Sequence, residues 1–159
     1  MLELENKMGN IFNEDFRDFI QALNNCKVRY VLVGGFSVIL HGYSRTTGDI
    51  DIWVDRSSDN YQKIKLAFLE FGMPVFDMTE ENFLKHKNWD VFTFGNPPSA
   101  IDLMLAVKGL SFDDTFNNAT TFEDDGLLIK TIHKDDLISA KKAAGRPKDL
   151  DDLENLQSN

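Results

Sequence analysis

The chain holds a single cysteine, Cys26, so no disulfide closes within it and no thiolate cluster can bind a metal. That scarcity fits a reducing compartment and leads to the expectation of a cytoplasmic protein. Long apolar runs are missing too. The longest, over residues 30–40, is interrupted by Gly34-Gly35 and is too short to span a bilayer, so no membrane association is expected. The N-terminal Met1-Leu2-Glu3-Leu4-Glu5 is acidic where a secretory leader is basic, and is not read as one. Positive charge is short as well: 17 Lys and Arg against 26 Asp and Glu leave a net charge of −9, which argues against a generic nucleic-acid-binding surface. Neither Gly-x-x-x-x-Gly-Lys-Ser/Thr nor Gly-x-Gly-x-x-Gly occurs, so the common NTPase and dinucleotide folds lack support. The histidines, His41, His86 and His133, are scattered without the spacing of a metal site.

What remains is ordinary globular material. With 159 residues, 42% of them hydrophobic, the chain suits one domain, residues 1–159 with a core over about 10–156. Thirteen phenylalanines, spread along the chain, fill that core. Helical spacing of Phe12, Phe16, Phe19, Ile20 and Leu23 predicts a helix over 13–25. A β-rich strand is predicted at 28–33, a short helix at 36–40 and a second strand at 50–54. A helix over 59–71 follows, capped by Ser58 or Asp59 and stopped at Gly72-Met73-Pro74. A short helix over 80–87, strands at 91–94, 100–105 and 127–131, and helices over 134–144 and 148–156 complete the pattern. Residues 109–126 read as polar and irregular; within them Asp113-Asp114-Thr115-Phe116-Asn117-Asn118 lacks the glycine and glutamate of a calcium loop and reads as a solvated loop. The expected class is α/β (α+β), a small mixed sheet with helices packed on it.

The informative stretch is residues 31–54. An apolar run ends at Gly34-Gly35, a short apolar segment follows, and Asp49-Ile50-Asp51 opens the next apolar run. On a strand Asp49 and Asp51 project together while Ile50 and Ile52 enter a core. Adjacent carboxylates repel, and a divalent cation or a proton relieves them. A glycine turn entering a helix offers backbone N–H groups to an anion. A third acid, Asp102, follows in Ala100-Ile101-Asp102-Leu103-Met104, with Asp90 as its rival. Asp-x-Asp alone would be read as a solvated strand face.

Taken together, Gly34-Gly35, Ser37, the gap to Asp49, Asp51 and Asp102 resemble the nucleotidyltransferase superfamily of the DNA polymerase β type. The ending Ile138-Ser139-Ala140-Lys141-Lys142-Ala143-Ala144-Gly145-Arg146-Pro147-Lys148-Asp149-Leu150-Asp151-Asp152-Leu153 is similar to that of minimal bacterial and archaeal members, including relatives of abortive-infection and toxin–antitoxin proteins. The resemblance covers residues 28–156. It implies that Asp49, Asp51 and Asp102 ligate two Mg²⁺ ions, with Mn²⁺ as a substitute, and that Asp102 helps activate an acceptor hydroxyl. It implies that Gly34 and Gly35 admit the triphosphate of an NTP, ATP among the donors, with Ser37 donating to a phosphate oxygen. Lys141 and Arg146 stand where the family carries cations that meet the triphosphate. For Lys141 and Lys142 the plain alternative is a favourable charge at a helix C-terminus, and for Arg146 a pairing with Asp149 or Asp152. Arg45, Thr46 and Thr47 either touch the nucleotide or are simply loop polarity. The implied activity is transfer of a nucleoside monophosphate to a hydroxyl on an RNA end, a protein or a small molecule. A small helical partner protein is a further implication. The competing reading is a non-catalytic module that binds a nucleotide or a partner on the same fold.

Overall fold

The computed structural model describes residues 11–85 and 89–157. Helix α1 (Glu14–Asn25) begins where the Asn13 side chain accepts from the Phe16 N–H, with Glu14 and Asp15 against the positive end of the helix. Strand β1 (Tyr30–Val33) runs directly into α2 (Gly34–Leu40), and β2 (Ile50–Val54) returns antiparallel to β1. Helix α3 (Ser58–Phe71) is capped by Ser57, whose hydroxyl accepts from the Asn60 N–H, and stops at left-handed Gly72. Then come α4 (Glu80–Lys85), β3 (Val91–Phe94), β4 (Ile101–Met104), α5 (Phe112–Asn118), β5 (Thr120–Asp124), β6 (Leu127–Thr131), α6 (Lys134–Ala144) and α7 (Pro147–Gln157).

The strands form one mixed sheet in the order β3-β4-β2-β1-β6-β5. Pairs β2/β4 and β1/β6 are parallel, while the central pair β1/β2 and the hairpins β3/β4 and β5/β6 are antiparallel, so the α+β class expected from the pattern is what the chain adopts. The two faces differ. Leu32, Ile50, Ile52, Leu103, Phe92 and Ile129 point to the larger core beneath α1 and α3, where Phe19 meets Phe68 edge-on at 5.5 Å. Val31, Val33 and Trp53 point to a thinner core shared with Leu137 of α6 and Leu156 of α7. The acids expected to form the site lie on this thinner face.

Three sequence expectations change. The glycines belong to the first turn of α2 rather than to a loop before it. Ser57, not Ser58 or Asp59, caps α3. Residues 109–126 are not irregular: they contain α5 and the hairpin strand β5, and Asp113 to Asn118 is helix rather than loop. The part of the expected fourth helix beyond Lys85, including His86, lies outside the described residues.

Candidate active site

Alternation along β2 decides where Asp51 goes. Ile50, Ile52 and Val54 are buried in the larger core, which leaves Asp51 and Trp53 for the opposite face. The parallel register sets Asp51 beside Asp102 on β4, and the antiparallel register of β3 sets Thr93 beside Asp102. On the other side Asp51 adjoins Val33, where the chain leaves β1 into Gly34. Gly34 has φ +72°, and a Cβ there would collide with the Asp51 carboxylate. Gly35 is equally confined, because a Cβ would strike the Thr47 hydroxyl. The two glycines thus let the backbone pack flush against the acid wall.

The wall is electrostatically unsettled. Burial first, then the Asp102 charge and a hydrogen bond with Asp102, push the Asp51 carboxyl up to about 6, with Lys148 acting in the opposite sense. Two carboxyls in contact share a proton or require a cation. Asp102 also accepts from the Thr93 hydroxyl at 2.7 Å. Asp49 stands at the rim, where its Oδ1 accepts from the Ala100 N–H at 2.9 Å. Among the described residues no three acidic, imidazole or thiolate groups stand together as preformed metal ligands. The Asp51–Asp102 pair is nonetheless a hard oxygen donor set with a charge deficit to fill, which suits Mg²⁺ completed by phosphate oxygens. Asp90 is elsewhere: 54% exposed, it lies 3.5 Å from the Arg56 guanidinium, so Asp102 is the acid that adjoins Asp51.

Facing the acids, α6 and α7 carry cations. Pro147 opens α7 at a position where its missing N–H costs nothing, and left-handed Gly145 ends α6 just before it. This tight junction brings Asp149 and Asp152 against Lys141, whose Nζ lies 3.3 Å and 3.0 Å from them. Arg146 grips Asp149 through Nε at 2.6 Å and Nη2 at 3.2 Å, and Arg45 reaches Asp152 at 2.7 Å. Asp149 is fully buried. Burial alone would raise its pKa, but the Arg146 hydrogen bonds and then Lys141 bring it below the ordinary carboxylate range.

A cleft of about 590 Å³ separates the two walls, with Gly34, Gly35, Asp49, Asp51 and Asp102 on one side and Lys141, Arg146 and Lys148 on the other. Ser37 is not in it: fully buried, it donates to the Gly34 carbonyl at 2.6 Å. Thr46 is exposed outside the cleft, whereas Arg45 and Thr47 line it. Arg146 makes the structural pairing with Asp149 yet stays 58% exposed, free to meet an anion as well. Lys148 belongs to the densest positive cluster of the sequence, with Lys141, Lys142 and Arg146, but is not among the candidate site residues. It lines the cleft and its charge acts on Asp51, and its signal was the basic pair flanking Pro147.

A cleft with acids on one wall and cations on the other suits a nucleoside triphosphate with its divalent cation, the acids holding the cation and the cations the phosphate oxygens. No helix among the described residues is long and apolar enough to cross a membrane. No curated protein matches the chain. The fold is similar to a solved structure of a proposed nucleotidyltransferase from Thermotoga maritima, with a TM-score of 0.56 and 18% identity over 90% of each chain. A family model described as "Nucleotidyltransferase of unknown function (DUF6036)" matches residues 12–157 and so takes in both walls of the cleft: the chain belongs to this nucleotidyltransferase family.

Proposed function

We propose that the chain is an active enzyme that moves a nucleoside monophosphate from an NTP to a hydroxyl acceptor. The observation that carries this reading is the Asp51–Asp102 pair, held side by side across β2 and β4 opposite Arg146 and Lys148. Asp51 and Asp102, with Asp49 at the rim, would hold Mg²⁺ or Mn²⁺. When bound, such a cation supplies neutralisation of charge on the phosphate oxygens. The chain's own residues do the rest. Gly34 and Gly35 let the triphosphate approach the backbone, Arg146 and Lys148 receive its outer oxygens, and Asp102 is placed to accept the proton of an attacking hydroxyl.

One observation favours the non-catalytic reading. Asp49 is engaged by the Ala100 N–H, so the acids form a pair and a neighbour rather than a preformed trio. The acceptor classes open to the enzyme are an RNA end, a protein and a small hydroxylated molecule. A toxin–antitoxin role with a helical partner protein belongs to the RNA-end and protein cases, and to the non-catalytic reading as well.

Thermal stability with each of the four NTPs, with and without Mg²⁺, tests the proposal. A ligand at about 100 times its Kd stabilises by about 2.7 kcal/mol. A shift that needs both Mg²⁺ and the wild-type acids is expected, and should vanish in Asp49→Asn/Asp51→Asn. No shift with any NTP would sink the nucleotide site. A shift with no pyrophosphate released in the presence of any acceptor class would leave the binding module instead.

A further inference from the structure

The geometry points to Thr93 as an acceptor: the chain transfers a nucleoside monophosphate onto its own Thr93 hydroxyl. This inference rests on the proposed function above and names one acceptor for that same site. The Thr93 hydroxyl donates to a wall acid, at 2.7 Å from Asp102 Oδ1. The other nearby hydroxyls make no such contact with the acids, although Thr47 also lines the cleft. Ser37 is buried and donates to Gly34, Thr47 packs on Gly35, and the Tyr43 hydroxyl accepts from Lys134.

Position across the sheet supports the same conclusion. Asp51, Asp102 and Thr93 occupy one row on neighbouring strands and one face of the sheet. Adjacent strands lie about 4.8 Å apart, so a phosphorus held at the two acids is within a side chain's reach of Thr93. β3 is an edge strand and Thr93 is exposed. Beside it a groove of about 320 Å³, bordered by Phe76 and Val91, has room for the attached nucleotide.

The step balances within these groups. Thr93 Oγ attacks the α-phosphorus of the NTP, a Thr93 Oγ–P bond forms, and the bond from that phosphorus to the bridging oxygen breaks. Pyrophosphate leaves with the bond's electrons, and the Thr93 proton passes to the Asp102 carboxylate. The product loses the hydroxyl donor to Asp102 and places a phosphodiester anion beside the acids. The reaction therefore stops at one adduct per chain.

The test is intact-mass spectrometry of the full chain after incubation with Mg²⁺ and each NTP in turn, followed by peptide mapping. The expected result is one added nucleoside monophosphate on the peptide that contains Thr93, with pyrophosphate released in equal amount. The adduct is lost in Thr93→Val and in Asp102→Asn, and Thr93→Ser keeps it at position 93, which a purely structural role would not produce. An adduct mapped to any other residue overturns the inference. So does no adduct while the NTP- and Mg²⁺-dependent thermal shift persists, and in that case the nucleotide site itself stands. Loss of both adduct and shift in the wild-type chain removes the inference and the proposed function together.

Discussion

Asp149 and Asp152 on α7 are the more deeply buried carboxylates of the cleft region, yet Asp51 on β2 is the one with the strongly raised pKa. The difference lies in company rather than depth. Asp149 and Asp152 are enclosed by Lys141, Arg146 and Arg45, so the fold itself supplies their counter-charge. Asp51 has another carboxylate as its neighbour, and among the described residues neither it nor Asp102 is ion-paired. Burial with partners makes a strut; partial burial without them leaves a site that a ligand must complete.

The largest effect should come from the strut. Asp149→Ala leaves Lys141 buried with half its partners and releases Arg146, and removal of one member of such a network costs about 3–5 kcal/mol. Urea unfolding measures it, and a loss under about 1 kcal/mol would mean that the network is not what joins α6 to α7. In the wild type the Asp149 contribution is present above its ordinary pKa of 3.8 and fades as pH falls below it, because its folded value is lowered.

The acid wall should respond in the opposite direction. The folded state holds the Asp51 proton up to about 6, against an ordinary 3.8, so between those values native protein binds more protons than unfolded. Stability therefore falls as pH rises through that window and stays lower above it. Asp51→Asn removes the repulsion, and metal-free stability at pH 7 should rise by on the order of 1 kcal/mol, with a flatter profile between pH 4 and 6. Melting curves across pH decide this, and a large loss of stability would make Asp51 structural. The smallest structural effect belongs to Lys148→Met, which should change stability by less than about 0.5 kcal/mol. Its NTP affinity, measured by titration calorimetry, should still drop several-fold, because a cation facing the acids is gone.

How far the sequence carried the reading varies along the chain. β2, residues 50–54, was legible to the residue because its alternation is strongly apolar on one face, and α6, residues 134–144, because Asp135 and Asp136 mark its first turn and Gly145 its end. The stretch over 109–126 failed because α5 buries Thr115 and half-buries Phe112 and Phe116 among exposed Asp and Asn, and β5 is a polar edge strand. The hairpin joining β5 to β6 did have a signal: Asp125-Gly126, both at positive φ, between two alternating runs. At the site, the Asp51–Asp102 pairing follows from a motif and a strand assignment. The commitment of Lys141 to Asp149 and Asp152 does not, because it depends on how α6 and α7 cross. The inward turn of Ser37 was hidden for a related reason, since its rotamer is set by α2 beginning at Gly34.

Asp49 shows how one side chain can serve two masters. Its carboxylate clasps the Ala100 N–H, the Ile50 N–H donates to the Ala100 carbonyl, and a Cβ on Gly48 would lie 2.6 Å from the Pro98 carbonyl oxygen. The segments that enter β2 and β4 are thereby riveted to each other at the mouth of the cleft. Asparagine keeps the oxygen that forms the rivet and gives up only the charge, whereas alanine gives up both. At this position amidation and truncation are different experiments, and only the first isolates what the negative charge contributes.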